Sequence, residues 1–177
     1  MVVVLLLIAF ILAIGLAFYG TYCGLKIHKD LILQRLAGVD ARLRARQKAV
    51  MTFLDLAEKV MVNDETIIFA VRRGYIAINK LPPRWNNNKE RFQLENDMDI
   101  KLNTLFTSAM KYPEMKTNVY LQKSLQEFIN IQTMLKPCVD EYNKTLRTFK
   151  SLIASPMGQI LAPSMHIKCE FVEYYIP

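Results

Sequence analysis

The two histidines and three cysteines of this 177-residue chain are its best candidates for metal or nucleophilic chemistry. His166 and Cys169 stand three apart, a spacing that suits two ligands of a tetrahedral metal, but no second pair completes a site. His28 and His166 also lie outside any Glu-x-x-His pair of the kind that facing helices use to hold a di-iron centre. Gly-rich phosphate loops are absent. Cys23, Cys138 and Cys169 are too scattered for a zinc site or a disulfide framework, and they fit packing roles in a reducing compartment. The residue types therefore predict no catalytic residue, no metal and no cofactor. They point to binding or scaffolding rather than to an enzyme.

A second constellation is the run RLRAR, Arg42 to Arg46. The net charge of +7 is concentrated between Lys26 and Lys48, where basic residues are opposed only by Asp30 and Asp40. Such a stem has the composition to hold anionic lipid or nucleic acid at a membrane surface. On a helix, however, residues two apart point about 200° away from each other, so Arg44 faces away from Arg42 and Arg46. Arg42 also lies roughly 24 Å along a helix from Lys26, beyond the Debye length of about 8 Å at physiological salt. This argues for a solvated helix face and against nucleic acid.

These residues are positioned by helices, the first of which starts in a membrane. From Val2 to Leu25 the chain carries no charge, and at about 1.5 Å per residue this stretch reaches about 36 Å, enough to cross a bilayer with tilt. No basic residue precedes it, as a cleavable signal peptide would require. Lys26, Lys29 and Arg35 follow it closely, so the positive-inside rule puts the N-terminus outside and the remainder in the cytoplasm.

Beyond the span, Ile32, Leu36, Val39, Leu43, Arg46, Val50, Phe53, Ala57 and Val60 recur at alternating intervals of four and three. That is the seam of a helix packed at a shallow angle on others. One long helix is expected to continue from the span through this seam. Asn63 and Asp64 are suited to cap a second helix over about Glu65 to Lys80. LPPRWNNNKE breaks it into a loop, and a third helix is expected over about Arg91 to Lys111. In KYPEMKTN, Pro113 fits the first turn of a fourth helix, with Glu114 at the positive end of its dipole. That helix is expected to run from Glu114 to Ala154 with a kink at Pro137. Its seam runs from Leu121 through Leu125, Phe128, Gln132, Leu135, Val139, Tyr142 and Leu146 to Phe149 and Ile153.

VDARLRAR, YPEMK and the pair Tyr142-Asn143, in this order behind an N-terminal span, resemble the LemA family over roughly residues 20–165. The matching positions are Asp40, Leu43 and Arg46 in the long helix, Tyr112, Pro113 and Lys116 at the corner, and Tyr142 and Asn143 downstream. Met51 and Thr52 replace the usual Pro and Asn, Phe149-Lys150 replaces a second Tyr-Asn, and Pro137 is foreign to the pattern, so the resemblance is to a divergent member. It implies a membrane-anchored helical bundle of the bacterial inner membrane that acts as a scaffold or adaptor for protein partners, in membrane or organelle organisation.

The expected architecture is all-α: a transmembrane helix over 1–25, continuing into an antiparallel up-and-down bundle of about four helices over 26–154, then an irregular aromatic tail over 155–177. The small-residue spacing Gly20-Thr-Tyr-Cys-Gly24 allows close packing with another span, and so a homo-oligomer. Glycine and alanine are also common in spans generally, and the pattern leaves both readings open. Arg46 and Gln132 interrupt otherwise apolar rows. Each is suited to fixing register, although an arginine more commonly lifts its head to solvent along its own stem. In the tail, Phe171, Tyr174, Tyr175 and Ile176 suit either a membrane headgroup layer or packing on the bundle.

Overall fold

A computed structural model describes residues 1–81, 88–165 and 171–174. About 90% of the described residues are helical and none is in a strand. The helices are α1 (Val2–Ala57), α2 (Glu65–Lys80), α3 (Asn88–Ala109), α4 (Glu114–Thr117), α5 (Val119–Ala154) and α6 (Pro156–Ser164). The expected loop around Trp85, the His166/Cys169 pair, and Tyr175 and Ile176 lie outside the described residues.

Helix α1 is unbroken because no proline interrupts it and Ala, Leu, Arg and Lys dominate its length. It is long and apolar enough near the N-terminus to cross a membrane, and the span window has no buried residue. The four-three seam read from the sequence is the buried face: Ile32, Leu36, Val39, Leu43, Arg46, Val50, Phe53 and Ala57 are all buried, and Val60 is half-buried.

Contacts divide the chain into two compact units, Met1–Leu36 with Glu141–Phe171, and Ala37–Asp140 with Val172–Pro177. The second unit holds a core built from Val50, Phe53, Ile68, Val71, Leu102, Leu105, Met115 and Leu121, with residues of every helix from α1 to α5. Phe106 joins Phe53 and Phe128 in a row of rings, with centroids 5.1 Å and 4.5 Å away. In the first unit Leu25, Tyr142, Leu146 and Phe149 are buried, and Gly24 faces Leu152.

Three expectations are corrected. The fourth helix does not run from Glu114 without a break. Asn118 leaves helical geometry with ψ 110°, and its side-chain oxygen accepts from the backbone N–H of Tyr120 at 3.0 Å and of Leu121 at 3.3 Å. It is an N-cap that ends α4 and starts α5. Pro137 lies inside α5, which is helical on both sides of it.

The first part of the expected irregular tail, Pro156–Ser164, is helical, while residues 171–174 are without regular structure. Ser155 accepts from the N–H of Gly158 at 3.1 Å, and Pro156 takes the first helical position, where its missing N–H costs nothing. Proline there starts α6 instead of stopping a helix. A Cβ on Gly158 would overlap the Leu152 carbonyl oxygen, so glycine permits the tight passage from α5 into α6.

The third correction concerns the predicted cap of α2, because Asp64 makes no cap hydrogen bond. Its carboxylate instead accepts from the Tyr112 hydroxyl at 3.1 Å. That bond is what the tyrosine of the Tyr-Pro pair does: it ties the corner before α4 to the entry of α2.

Candidate functional site

The most unusual place in the molecule is the middle of the second unit's core. The four-three periodicity of α1 that buries Leu43 and Val50 also buries the residue between them, and that residue is Arg46, 0% exposed. Its side chain cannot reach water, so the positive charge must be met by protein groups. Helix α3 supplies them. Arg46 Nη2 donates to Glu95 Oε2 at 2.6 Å and Nη1 donates to Asp99 Oδ1. Glu95 and Asp99 are one helical turn apart, so both carboxylates project from one face of α3. Helix α5 adds Gln132, whose Oε1 accepts from Nη1 at 3.4 Å.

Two tyrosines close the cluster. Tyr75 of α2 and Tyr174 of the C-terminal segment are both fully buried, and the hydroxyl of each is influenced by the Arg46 guanidinium. Tyr174 is held by stacking on Phe92 of α3, with ring centroids 4.4 Å apart. This decides between the two readings of the tail for that residue: Tyr174 packs in the core and does not face a bilayer.

Above the usual carboxylate range lie both acids, because burial opposes their charge more than Arg46 supports it. Burial likewise raises both tyrosines, with Arg46 as the opposing influence. For Arg46 burial works against the charge, but Asp99 and then Glu95 outweigh it and hold the guanidinium ionised. Two acids thus share one cation in a dry place, which can fix the register of α1, α3 and α5 and hold a proton on a carboxyl. Among the described residues no group of three or more His, Cys, Asp or Glu is placed to hold a metal ion.

A half-exposed layer lies next to the cluster in the sequence of α1 and α3. Asp40 is bonded to Arg44 at 3.0 Å and to Arg91 at 3.1 Å. The solvated-face reading of the basic stem therefore holds for Arg44, which is largely exposed. It fails for Arg46, because three-residue and four-residue steps from Leu43 and Val50 land on it and turn it inward.

The other positions singled out in the sequence scatter. Leu43 is core, Lys116 is exposed on α4, and Pro113 is exposed just before α4. Tyr142 is fully buried and Asn143 half-buried, both in the first unit. Gly24 meets Leu152 of the same chain, 4.0 Å from where a Cβ would stand, while Gly20 has open space around it. The face proposed for a neighbouring span is thus partly used within the chain. Of the positions singled out in the sequence, Arg46, Gln132 and Tyr174 enter the cluster.

Sequence reasoning passed over Glu95 and Asp99. The signal was available: stepping back from Leu105 and Leu102 by threes and fours lands on Asp99 and Glu95 before reaching Phe92. Acids on an apolar stripe of one helix, and an arginine on the stripe of another, are complementary. No protein-family model, no curated protein and no solved structure matches the chain.

Proposed function

We propose that the chain is a non-catalytic, membrane-anchored helical scaffold of the LemA type. It crosses the bacterial inner membrane once with its N-terminus outside and presents an antiparallel up-and-down bundle of about four helices to cytoplasmic protein partners. The observation that carries this reading is the continuity of α1, in which wholly exposed apolar residues at the N-terminus and fully buried ones such as Phe53 belong to one helix. The element that anchors the chain is also the spine of its core, so a partner bound to the core is held at the membrane.

Contact order supports the up-and-down arrangement. Going from Arg46 to Phe53 on α1, the α3 partner advances from Asp99 to Phe106, while α5 meets Arg46 through Gln132 and meets Phe106 through Phe128, so it recedes. The Tyr112–Asp64 bond gives the Tyr-Pro corner, one of the motifs of the LemA resemblance, a structural task.

A basic stem that binds anionic lipid or nucleic acid is the second reading. It is weakened by the internal pairing of three of its four arginines: Arg35 with Glu141, Arg44 with Asp40, and Arg46 with Glu95 and Asp99. Partner binding is better served by α2, where Phe69 and Ile76, seven residues apart on one face, are both exposed. The test is capture of partners by the full chain from detergent-solubilised membranes at low and high salt, alongside a Phe69→Lys/Ile76→Lys variant. Protein capture that survives high salt and is lost in the variant is the expected result. Capture of lipid or nucleic acid alone, lost at high salt, would transfer the function to the stem.

A further inference from the structure

We infer that α6, with the last turn of α5, is a second membrane-contact element, lying in the lipid headgroup layer beside the point where α1 leaves the bilayer. The inference rests on the reading of α1 as a membrane span. Its first support is composition. From Ser151 to Met165 the chain reads SLIASPMGQILAPSM, without one charged residue. A surface helix in water ordinarily carries charge on its outer face, yet α6 turns Ile160 outward, 63% exposed.

Depth is the second support, and it is set by contacts within the first unit. Met157 Sδ lies 3.7 Å from the Thr21 hydroxyl, and Leu152 lies against Gly24. Thr21 and Gly24 both belong to the uncharged stretch that ends before Lys26. Burial within that stretch changes where α6 meets it. Every residue from Met1 to Ala17 is exposed, Thr21 is half-buried, and Leu25 is fully buried. The stretch open to lipid is thus Val2 to Gly20, roughly 28 Å of helix, against a hydrocarbon core of about 30 Å. Tyr19 and Tyr22 are exposed where that stretch ends, as expected of aromatic side chains at a headgroup boundary. Thr21 therefore marks the interface, and Met157 brings α6 to the same level.

Third, the turn that sets this position is built into the chain. Ser155 caps α6 through Gly158, and Gly158 must lack a side chain because the Leu152 carbonyl occupies the space. An uncharged helix so placed buries its apolar side chains at the boundary of headgroups and acyl chains. The contact would hold the end of α5 at the membrane independently of the span.

The experiment uses the full chain with Cys23, Cys138 and Cys169 replaced by serine, reconstituted in vesicles of phosphatidylethanolamine and phosphatidylglycerol. Single cysteines at Leu12, Ile160 and Ile100, all exposed positions, carry a fluorescent label, and quenching by nitroxide lipids is compared with quenching by aqueous iodide. The expected result is that labels at 12 and 160 are quenched severalfold more by nitroxide lipid than the label at 100, which iodide quenches instead. If 12 is quenched by lipid but 160 behaves like 100, the interfacial helix is overturned while the span stands. If 12 is not quenched by lipid, the span fails and the inference fails with it.

Discussion

One heptad apart on α1 lie two layers of the same core that solve the packing problem in opposite ways. At Phe53 the helices meet through aromatic rings, with Phe106 and Phe128 completing the contact. At Arg46 the same three helices meet through a guanidinium, two carboxyls and an amide. The aromatic layer is stabilised by removing apolar surface from water, which is non-directional and tolerates a change of shape. The charged layer tolerates almost nothing, since each group is affordable only while its partners remain. A core that needed only stability would repeat the Phe53 solution. The Arg46 layer adds specificity: a slip of α3 by four residues would put Arg91 or Asn103 where one of the two acids now stands, leaving Arg46 with a single carboxylate.

The largest expected effect breaks this contrast directly. Arg46→Met leaves Glu95 and Asp99 buried without their cation, and should lower the unfolding free energy by about 3–5 kcal/mol. Replacing all three together, Arg46→Met/Glu95→Leu/Asp99→Leu, should recover most or all of that loss, because the layer then resembles its aromatic neighbour. Denaturant unfolding of the detergent-solubilised protein measures both. Phe53→Leu, which nearly conserves volume, should cost less than about 1.5 kcal/mol. A triple variant as unstable as the single one would mean that the cost lies in shape and not in unpaired charge.

The next effect separates the layers by pH. Burial places the folded-state pKa values of Glu95 and Asp99 above the ordinary carboxylate range, so the folded chain holds these protons more tightly than the unfolded chain. The stability this contributes is fully present below the unfolded pKa near 4 and is lost as pH rises through the raised folded values. The loss is about 1.4 kcal/mol for every tenfold by which folding tightens proton binding. Between pH 4 and pH 7 wild type should therefore lose melting temperature relative to Glu95→Gln, which cannot ionise. Phe53→Leu should track wild type over the same range. Parallel curves for Glu95→Gln and wild type would place the Glu95 pKa at its unfolded value and leave no extra proton held at Glu95 by folding.

The aromatic layer was readable in the sequence and the charged layer only in part. Phe53, Phe106 and Phe128 all fall on stripes that periodicity exposes, because an apolar residue at such a step is ordinary. Arg46 falls on its stripe equally well, but a long side chain there has two outcomes, and the choice depends on acids from a helix almost fifty residues later. Glu95 and Asp99 were hidden by the habit of counting apolar residues alone. Tyr174 was hidden by a different cause, since nothing near it in the sequence says that Phe92 will receive its ring. Asn118 was a local miss: a side chain that caps from within an apparently continuous helical pattern outweighs the pattern for one residue. Ser155 before Pro156 was legible as a cap and a first-turn proline, but the prolines and glycine following it drew the reading toward a stop.

The smallest expected effect tests how far the charged layer extends onto α5. Gln132 accepts from Arg46 at 3.4 Å, near the long limit for a hydrogen bond, and Arg46 Nη1 already has Asp99. The amide is also only half-buried, so water can replace part of what it offers. Gln132→Leu thus removes a weak acceptor while adding apolar contact, and the two changes oppose each other within about 1 kcal/mol. The sequence pattern alone predicts that leucine here raises the melting temperature and makes helix pairing less uniform, as an apolar residue in a register-setting position does. With Glu95 and Asp99 already holding Arg46, the expected outcome is a small rise in melting temperature with uniform pairing retained, read from a single set of amide resonances in the detergent-solubilised chain. A fall of several degrees would make Gln132 a full member of the cluster, and doubled resonances would give it, rather than the two acids, the task of setting register.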